Sequence, residues 1–454
     1  MTNPEVISPA FEPFLEDSGP QDKREAIVIY RPAQPPQLPL RGSLRELRRR
    51  VNVIRAHAAA NAASGNSIFQ RYLEDSKKRA PKVGELAHDL VGDGTLPVST
   101  FEVTRKTLPA LAAQPNVLAV LPNQRIDLVW PKRVEYDALA KDELTNKLTW
   151  GLRKLDVPEV WKASKGKDIN VAVLDTGVYG EHTILHDRVK EFVVIDPLGR
   201  RIETKDGKTF DYDQHGTHVC GTIAGGSTAD GVAVGVAPEA NLLVASINFG
   251  NAFLSNVVAG IVWAIEKGAD IISMSIGLRF YEPKIDELFK SLLEQYGIVP
   301  VVAIGNENHG STCCPGNACH ALSVGAIEKR TANKVDVAPF SSGASLIFPG
   351  QQVPMVSKPD VVAPGAQIYS CIPPAKIPDG IFEYTYMDGT SMATPHVAGA
   401  LALLMAAKPA TPVADIIQAV RDTAEHPAAD PAFRPDNRWG YGLIQPAKAL
   451  KALP

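Results

Sequence analysis

Cysteine is scarce in this sequence: five in 454 residues, an odd number that spells out no disulfide framework and suits a reducing compartment. A strong charge imbalance is missing too. A net charge of −3 gives no reason to expect nucleic acid or an anionic membrane as partner. The one dense basic run, Arg45 to Arg50, reads as a solvated helix face. No long membrane span is evident, and Met1 to Pro9 lacks a basic segment followed by an apolar core. A cytoplasmic location is therefore the expectation. What is present is ordinary for a globular chain, 45% apolar and 21% charged, with length enough for two to three domains.

Three segments carry chemistry. Gly389-Thr390-Ser391 opens an apolar, Ala-rich helix expected over 391–407. A hydroxyl there lies beside unpaired N–H groups and the positive end of a helix dipole, which favour a developing oxyanion. Val171 to Leu174 is a buried-strand pattern that ends on Asp175 and a glycine turn, the end at which open α/β sheets place their sites. Gln214-His215-Gly216-Thr217-His218 puts histidines at a helix entrance. His218 and His396 read as structural groups, whereas Asp175, His215 and Ser391 supply the acid, base and alcohol of nucleophilic acyl transfer.

Together these segments resemble the subtilisin family of serine proteases, whose triad runs in the order Asp, His, Ser. The resemblance extends over about Trp150 to Leu450 and includes Ile272 to Gly277, Lys358 to Gly365 and Trp439 to Ile444. It implies that Asn306, after the apolar strand Val301 to Ile304, completes an oxyanion hole with the Ser391 N–H. It also implies substrate-binding roles for Ser275, Ile276, Gly277, Gly305 and Cys313. The expected reaction is peptide-bond hydrolysis through an acyl-enzyme. The rivals are a narrow processing protease for one precursor or partner, and a silent binding protein that kept the fold.

The implied fold class is α/β: a parallel sheet with helices on both faces, preceded by a small α+β domain. Residues 1–24 read as a flexible tail, 25–124 as a prodomain-like unit, 125–149 as a connector and 150–454 as the catalytic domain. Within the unit, Ser43 to Glu46 is a capping-box pattern that opens an amphipathic helix, and 57–95 reads as a helical insertion. The resemblance makes the N-terminal unit an intramolecular inhibitor, docked through residues 121–150, with peptide or protein as the substrate. No cofactor is expected. Ile184 stands where the family's strongest calcium site wants an acid, leaving Asp206, Asp211 and Asp213 as the alternative oxygen cluster. No metal is expected at Cys313-Cys314 and Cys319-His320, since adjacent cysteines start a chelate poorly. With neither Asp nor Glu between His309 and Ala326, the pocket is expected to refuse basic side chains, unless Glu307 turns into it.

Overall fold

A computed structural model describes residues 6–30, 50–54, 56, 98–114, 117–196, 199–202, 204, 207–247, 252–331, 334–347, 355–378 and 380–454. Two units follow one another along the chain. The first is a three-stranded antiparallel sheet in the order β2-β1-β3, from β1 (Arg24–Tyr30), β2 (Val98–Val103) and β3 (Val117–Pro122). Their β-branched residues fill a core with Leu108 and Leu111 of α2 (Thr107–Ala112). The expected capping box at Ser43 and the whole of the 57–95 insertion lie outside the described residues.

The segment expected to be a flexible tail is folded from Val6 onward. Ile7 bridges Val120, and the Ser8 N–H donates to the Val120 carbonyl at 2.9 Å. A short 3₁₀ turn, Pro9–Phe11, leads into α1 (Glu12–Asp17), and Phe11 and Phe14 are buried against the sheet. Prolines broke the apolar pattern, but the two phenylalanines bury large apolar area, and that decides the fold.

The second unit is a nine-stranded sheet in the order β15-β14-β13-β11-β6-β9-β7-β8, with β18 beside β14. Its parallel strands are β6 (Asn170–Asp175), β7 (Val189–Ile195), β9 (Asn241–Ser246), β11 (Ile271–Met274), β13 (Val299–Ala303), β14 (Leu322–Lys329) and β18 (Val361–Pro364). The antiparallel edges are β8 (Arg201–Ile202) and β15 (Val335–Val337). One face packs on α3 (His215–Ala224) and α6 (Thr390–Ala407), the other on α4 (Leu254–Glu266) and α5 (Pro283–Ser291). In the central strand β6, Val171 and Val173 feed one core and Ala172 and Leu174 the other, as a sheet covered on both faces requires. Helix α6 is long and apolar enough to cross a membrane, yet 89% of it is buried inside the protein, so it is a core helix.

Two features outside this frame position the site. The connector is not structureless: it contributes β4 (Arg125–Leu128) and β5 (Arg133–Glu135). β4 lies between β10 (Ala252–Phe253) and β12 (Ile276–Gly277), antiparallel to both. β5 adds to the edge of a hairpin, β19 (Ile368–Ile377) and β20 (Gly380–Asp388), in the order β19-β20-β5.

Candidate active site

The parallel order brings three distant residues to one end of the sheet. Asp175 is the last residue of β6, His215 the first of α3, and Ser391 the second of α6. All three are buried, at 1%, 0% and 0% exposure, so their charges act with little solvent screening. His215 Nδ1 contacts Asp175 Oδ1 at 2.7 Å. The same carboxylate oxygen accepts from the Thr176 N–H at 2.8 Å, which fixes its rotamer. Burial lowers the His215 pKa, but the Asp175 charge and hydrogen bond raise it, and the balance lies above the ordinary imidazole value. Among the described residues, His215 Nε2 has no hydrogen-bond partner.

The Ser391 hydroxyl does not point to that nitrogen. It donates to the Val129 carbonyl at 2.6 Å. One residue further on, Asn306 Nδ2 donates to the Trp130 carbonyl at 2.8 Å. The Asn306 side-chain oxygen accepts from the Thr390 N–H and hydroxyl, at 2.9 and 3.0 Å, which aims its NH₂ into the cleft. Both groups assigned to acyl transfer are thus engaged by the protein's own connector.

The expected substrate-binding residues gather around the same segment. The Ser275 carbonyl accepts from the Val129 N–H at 3.0 Å, Ile276 pairs with Leu128, and Gly277 with Asp127. A Cβ on Gly277 would come within 2.9 Å of the Cys313 side chain and 3.4 Å of Val129, so only glycine lets the strand lie this close. Gly305 has φ +117°, and a Cβ there would meet Cys313 Sγ at 2.7 Å. Cys313 is buried, and its thiol is pushed up to about 11 by burial and by Glu307.

A cavity of about 330 Å³ beside Val129 is lined by Gly277, Arg279, Asn306, Glu307 and Cys313. The exception named for the pocket, Glu307, is on its wall, with Arg279 3.9 Å away, so the expected refusal of basic side chains loses its ground. Sequence reasoning expected residues 121–150 to dock without naming which of them would reach the site; Leu128, Val129 and Trp130 do, and Ala252 and Phe253 of β10, which flank this segment, were passed over. The alternation Arg125-Ile126-Asp127-Leu128, exposed then buried, was their signal.

His218 and His396 hold structural places. His218 Nε2 lies 3.0 Å from the Ile368 carbonyl, and burial takes its pKa down to about 3. His396 Nδ1 lies 2.8 Å from the Met392 carbonyl, and its pKa falls to about 4. Ile184 is buried and apolar, so the position where the family's calcium site wants an acid offers no oxygen from its side chain. Asp211 accepts from the Thr176 hydroxyl and from the Thr217 N–H and hydroxyl, while Asp206 lies outside the described residues. The cysteine-histidine run divides in space. Cys313 faces the cleft, and Cys319 and His320 gather with Asp286 within 4.8 Å. His320 Nδ1 already contacts Asp286 at 2.9 Å.

A parallel α/β sheet that brings a carboxylate, an imidazole and a hydroxyl to one end, beside a cleft that takes an extended chain, defines a serine endopeptidase. The chain belongs to the subtilase family, whose profile matches residues 166–442. It is 36% identical over 284 residues to an intracellular serine protease of Paenibacillus polymyxa, covering 60% of this chain and 77% of that one. It is 35% identical over 271 residues to the major intracellular serine protease of Bacillus subtilis (strain 168), covering 57% and 75%. The crystal structure of fervidolysin from Fervidobacterium pennivorans, a keratinolytic enzyme related to subtilisin, matches with TM-score 0.69 at 24% identity. That match covers 98% of this chain but 62% of fervidolysin's length, and it bears on the fold alone.

Proposed function

We propose that this endopeptidase cuts peptide bonds with Ser391 as nucleophile, His215 as general base and then general acid, and Asp175 holding the imidazole. Asn306 and the Ser391 N–H would stabilise the oxyanion. The reading rests on the 2.7 Å contact of His215 Nδ1 with Asp175 and on the Asn306 amide aimed at a carbonyl in the cleft.

We propose further that the enzyme is made as a zymogen whose connector is the inhibitor. The observation that carries this is the Ser391 hydroxyl donating to Val129 O instead of meeting His215. While that proton is engaged, the base cannot take it and the oxygen is not activated. The carbonyl facing Asn306 is that of Trp130, and the bond after it leads to Pro131, whose nitrogen bears no hydrogen. The connector thus fills the cleft like a substrate but offers a poor bond to cut. It belongs to the same chain, so its effective concentration is high.

The setting proposed is the cytoplasm, supported by the names of the two relatives and by five cysteines all described as free thiols. No cation is proposed for turnover, given Ile184 and the donors already filling Asp211. A chelator should leave the rate unchanged. The experiment that tests the whole reading is labelling by a serine-directed phosphonate. Once its connector has been cut away from the cleft, the wild-type enzyme should label at Ser391 and lose peptide hydrolysis. Undiminished hydrolysis after complete labelling, or in Ser391→Ala, would refute it.

A further inference from the structure

Adjacent cysteines at 313 and 314 start a chelate poorly, which is why the sequence gives no reason to expect a metal there. The fold takes that pair out of the question. Cys313 lines the substrate cavity, and the group that joins Cys319 and His320 is Asp286, 34 residues before His320 and in the first turn of α5. One ligand atom from each of the three lies within 4.8 Å of the others. A thiol, an imidazole and a carboxylate gathered this closely serve none of the steps assigned to Ser391, His215 and Asp175.

The three are held by the backbone around them. Asp286 Oδ1 accepts from the His320 N–H at 2.7 Å and contacts His320 Nδ1 at 2.9 Å, so one oxygen fixes both the turn and the imidazole. From the other side the buried Lys358 ammonium donates to the Cys319 carbonyl at 3.3 Å and to the Ala321 carbonyl at 2.9 Å. Its charge is met by Asp360 at 2.7 Å. Burial raises the Cys319 pKa; Lys358 and Arg421 lower it, Asp286 and Asp360 raise it further, and the balance lies above the ordinary thiol value. A coordinated cation reverses that balance, because a thiol bound to it loses its proton outright. The His320 side chain is 27% exposed and that of Asp286 9%, so the cluster opens to solvent on one side and is backed by protein on the other.

We propose that Asp286, Cys319 and His320 form a binding site for a zinc-class divalent cation, with three protein ligands and a fourth position left to water. The donor set decides the class. Thiolate, imidazole and carboxylate together suit zinc, which takes four ligands at about 2.0–2.3 Å. Calcium needs six to eight oxygens and finds one carboxylate here. Tetrahedral ligands at zinc distances stand about 3.3–3.6 Å apart. The His320–Asp286 pair has to open slightly, and Cys319, on a turn outside any strand, has to close in by about an ångström at most. The imidazole that binds through Nδ1 keeps its proton on Nε2, and the Cys319 proton leaves to solvent. Thiolate and carboxylate then neutralise both charges of the ion. The ion links α5 to the turn that begins at the pocket wall, and Glu282, which caps α5, is bonded by Ser8 of the N-terminal segment. Its role is structural, and no step of turnover passes through it.

Cobalt(II) is the probe, because its spectrum reports both a thiolate ligand and a four-coordinate geometry. The full chain, stripped by a chelator and kept reduced, is titrated with cobalt. One cobalt per chain should bind, with a sulfur-to-cobalt charge-transfer band and intense visible bands, and zinc should abolish both. Cys319→Ser should lose the charge-transfer band, and Cys313→Ser should keep it. His320→Ala should weaken cobalt binding by at least the ~10–100-fold that loss of even an outer partner of a metal ligand costs. A second measurement uses the unsubstituted chain. Four of the five cysteines are buried and Cys319 is not, so a thiol-alkylating reagent attacks Cys319 first in the native chain. Zinc at about ten times its Kd should slow that alkylation about tenfold, whereas calcium at the same concentration should leave it unchanged. Absence of the charge-transfer band, its persistence in Cys319→Ser, or alkylation at one rate with and without zinc overturns the site.

Discussion

The two halves of the connector sit in the same cleft but are gripped differently. β4 is a central strand: β10 pairs with it on one side, β12 on the other, and Ile126 and Leu128 are buried. Among the described residues β5 has one partner, β20, and Val134 is 38% exposed. Between them Val129 and Trp130 each present a carbonyl to a different group, Ser391 and Asn306. Before the reacting bond, recognition combines a doubled ladder with apolar burial; beyond it, a single ladder carries the chain. The first half should govern inhibition more than the second.

The largest effect that bears on this contrast comes from the hydroxyl between the halves. Ser391→Ala should lower kcat by about five to six decades, leaving the ~10³–10⁴-fold rate over water that oxyanion donors and binding alone supply, a figure general to subtilisin-type sites. Both halves should stay docked, so protection of Val129 and Arg133 from proteolysis is the structural control. Hydrolysis close to the wild-type rate would show that the connector hides some other nucleophile.

Next in size is the donor facing the second carbonyl. Asn306→Ala should cost about 10²–10³ in kcat, ~3 kcal/mol, the range measured for such donors in this family. KM should move little, because Asn306 touches a single carbonyl. A change confined to KM would make Asn306 a ground-state binding group.

Leu128→Asp tests the doubled grip. It places a charge where Leu128 is 5% exposed, beside Ile276, and a buried unpaired charge costs several kcal/mol. Peptide hydrolysis by the full chain should rise about tenfold or more as the cleft opens. Arg133→Glu, on the singly held half, should raise hydrolysis of short peptides much less. Equal rises would erase the distinction between the halves.

How much of this was legible in the sequence depended on where the pattern lay. The strands ending at Asp175 and near Asn306 were readable because unbroken apolar runs stop on a polar residue. Helix α6 was readable from its alanine-rich stretch and glycine entrance. The connector's alternation was present but lay among charged neighbours, and two short strands need a partner before they exist at all. The hairpin β19–β20 was hidden by Pro373 and Pro374, where the pairing register shifts between Cys371 and Ala375. Glu307 was named as the nearest acid because it follows Asn306, but which way its side chain turns is set by the fold and not by the sequence.

A pH series sharpens the account of the Ser391–Val129 contact. Burial lowers the His215 pKa, the Asp175 charge and hydrogen bond raise it more, and the result is a raised folded-state value. Turnover needs the neutral base, so kcat/KM should climb with an apparent pKa above that of an ordinary imidazole. The sign for stability is opposite. The ionised pair contributes fully below the unfolded-state pKa, and that contribution is lost as pH rises through the folded one. An activity profile with its lower limb below the ordinary imidazole range would contradict this balance.

The smallest effect lies at the seam where the N-terminal segment meets the catalytic unit. The Ser8 hydroxyl donates to the buried Glu282 carboxylate, which also accepts from the Lys284 N–H at 3.1 Å. Burial raises the Glu282 pKa; the bonds from Ser8 and Lys284 lower it but do not prevail. A raised folded-state value means that stability from this group is present below its unfolded pKa and lost as pH rises through the folded one. Ser8→Ala removes a donor from the ionised form, at a cost of about 1–3 kcal/mol for an under-satisfied buried acceptor. At neutral pH, Tm should therefore fall and the Val6–Asp17 segment should exchange its amide hydrogens faster. On the acid side of the glutamate range the protonated carboxyl needs one donor fewer, and the difference between Ser8→Ala and wild type should shrink. A Tm difference that stays constant across that range would mean that Ser8 holds the seam by packing alone, with no contribution from the Glu282 charge.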